Sequence, residues 1–93
     1  MADLYIQGGF KSQIVDIGTT ATKVPGTNMN GRRAMVITSV GSEEARLGAA
    51  GVTVAAGYPF PVGKEMTFFI SENAQLWAIS AGGGAKIAVM EAT

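Results

Sequence analysis

Seven carboxylates and seven cationic side chains, with no histidine and no cysteine, make up the reactive inventory of this 93-residue chain. Histidine is the usual proton shuttle near neutral pH, and cysteine the usual soft nucleophile and metal ligand. Chemistry here would therefore rest on carboxylate, serine or lysine in a recognisable grouping. The carboxylates are Asp3, Asp16, Glu43, Glu44, Glu65, Glu72 and Glu91. A glycosidase needs two of them flanking a cleft, and no spacing in the chain sets up such a pair. Glu43 and Glu44 are adjacent, so on a strand they point to opposite faces. No EF-hand pattern is present. Gly82-Gly83-Gly84 lacks the Gly-Lys-Ser/Thr that opens the helix of a phosphate loop, and Lys86 falls in a strand pattern instead. That glycine run reads as a hairpin turn. The expectation is a protein that is not an enzyme and carries no cofactor and no metal.

Binding chemistry is better represented. Trp77 and Tyr58, joined by Phe60, could stack on sugars, but Trp77 lies between Leu76 and Ile79 in a patterned strand and reads as a core residue. Tyr58 and Phe60 sit in a proline-rich connection, where exposed aromatics suit an interface. Arg32 and Arg33 follow the Asn30-Gly31 turn; they could grip a partner carboxylate or simply solvate a strand entry. Leu4, Tyr5, Ile6 and Phe10 are large apolar residues in a segment without strand patterning. The predicted interface is therefore Leu4, Tyr5, Ile6, Phe10, Arg32, Arg33, Tyr58 and Phe60. In the other reading of these residues, Leu4 to Ile6 adds an edge strand and Phe60 plugs one end of the domain.

The elements that must position these residues are short. From Ala34 onward the chain alternates at period two. Met66, Phe68 and Ile70 share one face, Trp77 and Ile79 another, and Ile87 and Val89 a third, with Lys86, Ala88 and Met90 opposite. Residues 34–40 are β-branched at their centre and expected to be buried on both sides. Ala45 to Leu47 and Thr53 to Ala55 read as short or edge strands. Residues 58–63 carry two prolines, which remove ladder donors, and read as a connection feeding the next strand. Ser71-Glu72-Asn73 reads as a tight turn, and residues 13–24 as one further hairpin about Gly18. The single helical candidate is one turn at residues 42–47. Turn-separated short strands at this spacing predict an all-β fold, a small antiparallel β-sandwich or barrel-like domain of roughly seven or eight strands. The expected core is Ile37, Phe68, Trp77, Ile79, Ile87 and Val89. Residues 1–30 read as a weakly patterned N-terminal arm or edge hairpin and residues 31–93 as the sandwich core.

Composition narrows the function classes. Charged residues are 15% of the chain and the formal net charge is zero, so self-repulsion is weak and association is favoured. A neutral chain does not predict a nucleic-acid surface. Met1 to Phe10 has neither a basic nor a long apolar targeting region, and no apolar run approaches the ~20 residues that span a bilayer. A domain this small usually supplements its core with disulfides, a metal or partners. Without cysteine, partner surfaces are the natural supplement.

From Arg33 to Glu91 the chain carries Met35-Val36-Ile37-Thr38, Arg46-Leu47-Gly48, Gly51-Val52-Thr53, Gly57-Tyr58-Pro59-Phe60, Val62-Gly63, Gln75-Leu76-Trp77-Ala78-Ile79 and Ala85-Lys86-Ile87-Ala88-Val89. This string resembles a β-sandwich module of small tailed-bacteriophage virion proteins, found in capsid decoration (cement) proteins, head fibres and tail adaptors. The resemblance is a scaffold pattern and carries over no functional residue. It implies a virion structural protein on the capsid surface, a decoration protein that stabilises the shell, or alternatively a head-fibre, tail-adaptor or receptor- or glycan-recognition module. The partners it implies are the major capsid protein and neighbouring copies of the chain in a symmetric oligomer, a trimer among the candidates.

Overall fold

The computed structural model describes residues 9–26, 32–71 and 73–93. These residues form eight strands: β1 (Phe10–Ile17), β2 (Thr22–Val24), β3 (Arg33–Ser39), β4 (Ala45–Gly48), β5 (Tyr58–Phe60), β6 (Glu65–Ile70), β7 (Leu76–Ile79) and β8 (Ala85–Ala92). The strands build two four-stranded sheets, ordered β1-β8-β3-β6 and β2-β7-β4-β5. Every pairing is antiparallel. The fold is an all-β sandwich.

The order has a simple origin. β1 pairs with β8, β2 with β7, β3 with β6 and β4 with β5. The chain is thus one long antiparallel ribbon, bent at residues 49–57 and rolled until β8 also meets β3 and β7 also meets β4. This is the eight-stranded jelly-roll arrangement of two facing sheets. Only β4 and β5 are both consecutive and paired. The other connections cross from one sheet to the other. The expected hairpin over residues 13–24 does not form, because β1 and β2 lie at the edges of different sheets. For the same reason the turns at residues 71–75 and 80–84 are corners between sheets rather than hairpin tips. Gly83 takes φ +82 at one of them, a conformation that only glycine adopts cheaply.

Period-two alternation sends one face of each sheet inward. The core is Ile17, Val24, Met35, Ile37, Ala45, Leu47, Phe60, Ala78, Ala85, Ile87 and Val89, with Val15, Met66, Phe68, Ile70 and Leu76 packed against it. Ile37, Ile87 and Val89 fall in the core as predicted. Trp77 does not: it is half-buried on the far side of its strand, and Leu76 and Ala78 are the residues that point inward. β7 alternates as expected but with its facing inverted, because the small Ala78 fills the interior in place of the large Trp77. Ile79 shares that far face and is buried there.

Three further expectations are corrected. Ala45–Gly48 is the short strand expected there, lying between β7 and β5 and not at an edge, whereas residues 53–55 form no strand. Tyr58–Phe60 pairs with β4 as an edge strand, the position where proline is tolerated. The single helical turn at residues 42–47 is absent; a bend leads directly into β4.

Candidate interaction surface

The two outer sheet faces are unlike. The outer side of the second sheet is overlaid near β4 by the chain's own 49–57 connection. Gly57 is buried so close to Arg46 that a Cβ there would lie 2.5 Å from the Arg46 Cβ, and one at Gly48 would lie 2.7 Å from a Val52 methyl. Both glycines let backbone and side chain close over the sheet.

The outer side of the first sheet carries no such cover among the described residues. Its cross-strand rows follow from the register. The first row runs Phe10, Ala92, Ala34, Phe69 across β1, β8, β3 and β6; the second runs Ser12, Met90, Val36, Thr67; the third runs Ile14, Ala88, Thr38, Glu65. Asp16 and Lys86 close the far end with a 3.1 Å ion pair. Phe10, Ile14, Phe69 and Met90 are 66%, 69%, 77% and 45% exposed. For side chains of this size that is on the order of 500–600 Å² of apolar surface, the upper end of what a free monomer shows in one patch. The relief is regular: two phenyl groups about 14 Å apart, three strand spacings, stand either side of an alanine floor. Ala34, Phe69, Ala92 and Thr93 line one shallow depression there, and Ile14, Val36, Ala88 and Met90 line a second farther along.

The predicted interface residues scatter around this surface. Phe10 belongs to it. Arg32 is exposed just outside β3. Tyr58 is 65% exposed at the rim of the second sheet, beside Pro59, Pro61, Lys64 and Met66. Leu4, Tyr5 and Ile6 lie outside the described residues. Phe60 is corrected: it is fully buried in the core, in register with Ala45 on β4. Arg33 is corrected as well. Strand alternation turns it inward with Met35 and Ile37, where its Nε lies 2.5 Å from Glu91 Oε2 and both side chains are 1% exposed. Its Nη1 and Nη2 donate to the carbonyls of Ser71 (3.3 Å) and Ala74 (2.9 Å). This guanidinium ties two strands to the β6–β7 corner and is not presented to a partner.

Phe69, Ile14, Met90, Val36 and Ala34 lie outside the predicted interface. A signal for the first is present in the sequence: Phe68 and Phe69 are neighbours in a strand, so one of them must face away from the core.

Most carboxylates of the described residues are engaged structurally. Glu43 Oε1 accepts from the Ser80 hydroxyl and from the Gly82 amide (2.7 Å), while the Gly83 amide donates to Ser80 Oγ at 3.1 Å. The Ser80 hydroxyl, with help from the amides of the glycine corner, holds the Glu43 carboxyl below its ordinary range. Glu44 pairs with Arg46 at 2.8 Å. Among the described residues no group of three or more Asp, Glu, His or Cys could hold a metal ion. No protein-family model, curated protein or solved structure matches the chain.

Proposed function

We propose that this protein is a non-enzymatic virion structural component, a bacteriophage capsid decoration protein that binds the outer shell and stabilises it. The observation that carries this reading is the apolar outer face of the first sheet, which the described residues leave without cover at Phe10, Ile14, Phe69 and Met90, a surface suited to burial against protein. Engagement of Glu43, Glu44, Asp16 and Glu91 in structural pairs supports a binding role over a reactive one. The resemblance of residues 33–91 to phage virion modules supplies the setting, and the jelly roll, an architecture shared by capsid and lectin domains, agrees with it by analogy. A protein that binds the assembled lattice and not its free subunits stabilises the lattice by linkage.

The test is the composition and endurance of purified particles. Decoration predicts a copy number that scales with shell subunits, and DNA loss at lower temperature from particles stripped of the protein. A copy number matching a single tail, with equal survival of stripped particles, would overturn it. Tyr58 favours a second reading: a solvated aromatic beside a shallow hollow suits a receptor- or glycan-recognition module, and a glycan-array signal that disappears in Tyr58→Ala would establish it.

A further inference from the structure

We infer that the outer face of the first sheet is a self-association surface, closed by the same face of a second copy of this chain. The inference rests on the reading, made above, of this face as a surface for burial against protein, and names a second copy as what buries it; the shell would then be met by other parts of the dimer. Three observations select a copy. The first is relief. The face carries protruding phenyl groups at Phe10 and Phe69 and a receding floor at Ala34 and Ala92, on one row. A two-fold axis parallel to the strands places β1 of each copy over β6 of the other, so that Phe10 of each copy meets Phe69 of the other on both sides of the row, an isologous arrangement that engages the whole face. The second is area. Burying this patch on both copies removes about 1,000–1,200 Å² of surface, the lower end of what specific protein interfaces bury and the size of a weak dimer. The third is charge. Both signs stand side by side at the far end of the face in Asp16 and Lys86, and the chain as a whole is neutral, so like copies meet without net repulsion. The chain's own corner already covers part of the other outer face, so sheet-on-sheet packing is available on this side. Face-to-face sheets pack about 10 Å apart with their strands inclined by about 30°.

Sedimentation equilibrium of the full chain across micromolar to submillimolar concentration tests the inference. The wild-type chain is expected to follow a monomer–dimer equilibrium. Phe69→Asp and Ile14→Asp should weaken it at least tenfold while circular dichroism and the melting temperature of the dilute protein stay unchanged, since both side chains point to solvent in the monomer. Tyr58→Ser is expected to dimerise like wild type. A wild-type chain that is monomeric throughout, a trimer or open-ended series, or a dimer insensitive to both Asp variants would each overturn the inference. A monomeric wild type that dimerises once residues 1–8 are deleted would assign the face to the chain's own N-terminal segment instead. Monomeric protein that still joins particles, and stops doing so in Phe69→Asp, would assign the face to the shell; the proposed function would then stand and the self-association would fall. A dimer sensitive to both Asp variants that never joins particles would uphold the self-association and remove the proposed function.

Discussion

Arg33 and Glu91 are diagonal neighbours on the inward side of the β3–β8 pair: Met35 is the cross-strand partner of Glu91, and Arg33 lies two residues along. Both are almost wholly withdrawn from water. Lys11 on β1 stands in register with Glu91 from the other side. A charge pair in this position closes the end of the sandwich where the apolar core stops. Removing one partner leaves the other buried and uncompensated, which costs more than the pair contributes as a whole.

Glu91→Ala is therefore expected to destabilise the domain by about 3–5 kcal/mol, measured by urea or thermal unfolding. The double variant Arg33→Met with Glu91→Leu should recover most of that loss, since an apolar pair of similar volume needs no compensation. Equal losses in the single and double variants would show that the guanidinium's bonds to the Ser71 and Ala74 carbonyls dominate.

Glu43 predicts a pH effect. Its carboxyl titrates lower in the folded chain than its ordinary value of 4.5, because Ser80 and the glycine amides bond to the charged form. The unfolded chain binds the proton first, so the stabilisation is complete above the ordinary value and is lost as pH falls through the lower folded one. Unfolding midpoints measured from about pH 6 down to about pH 3 should decline, and Glu43→Gln should flatten that decline.

Ser39 is buried on β3, and its hydroxyl has no hydrogen-bond partner among the described residues. An orphaned buried hydroxyl is a standing cost, so Ser39→Ala is expected to be neutral or stabilising by up to about 1 kcal/mol. A clear loss in melting temperature would reveal a bond formed in solution.

Phe60 and Tyr58 share a three-residue strand and should behave oppositely. Phe60→Ala empties a core site and is expected to cost about 3–5 kcal/mol. Tyr58→Ala changes an exposed position and should stay within about 0.5 kcal/mol of wild type. The comparison directly checks which aromatic is structural.

Gly41 crosses the start of β8 so closely that a Cβ would collide with the backbone of Gly84, Ala85 and Lys86. Backbone cannot step aside as a flexible side chain can. Gly41→Ala is expected to cost about 1–3 kcal/mol, with chemical-shift changes concentrated at the start of β8.

The facing of β6 and β8 was legible from Met66, Phe68 and Ile70 on one side of β6 and Ile87 and Val89 on one side of β8, although Phe69 and Met90 are large and face outward. The facing of β7 was not, because the large aromatic Trp77 was read as the core anchor, whereas Leu76 and Ala78 are the residues that face the core. Sheet membership was hidden for a different reason: a glycine-rich corner between two sheets and a hairpin tip use the same turn residues. Burial of Arg33 was equally invisible, since its partner Glu91 lies 58 residues farther on. Of the proposed surface, the sequence marked only Phe10. Phe10 stood out as an unpatterned aromatic, whereas the Ala34–Ala92 floor exists only once the rolled ribbon brings those two residues side by side.

The place of β8 in the first sheet has a consequence for the order of events at synthesis. This strand is made after the other seven, yet it inserts between β1 and β3. Until it emerges, that sheet lacks its second strand, and β1 has no neighbour to pair with. The nascent chain must therefore carry Val15, Ile17, Met35 and Ile37 without their final cover. Closure of the sandwich waits until Ala92 has left the ribosome, a late and non-local step of the kind that slows folding and leaves strand edges open to other chains. Cutting the chain after residue 84 would take out the middle of the sheet, not trim its border.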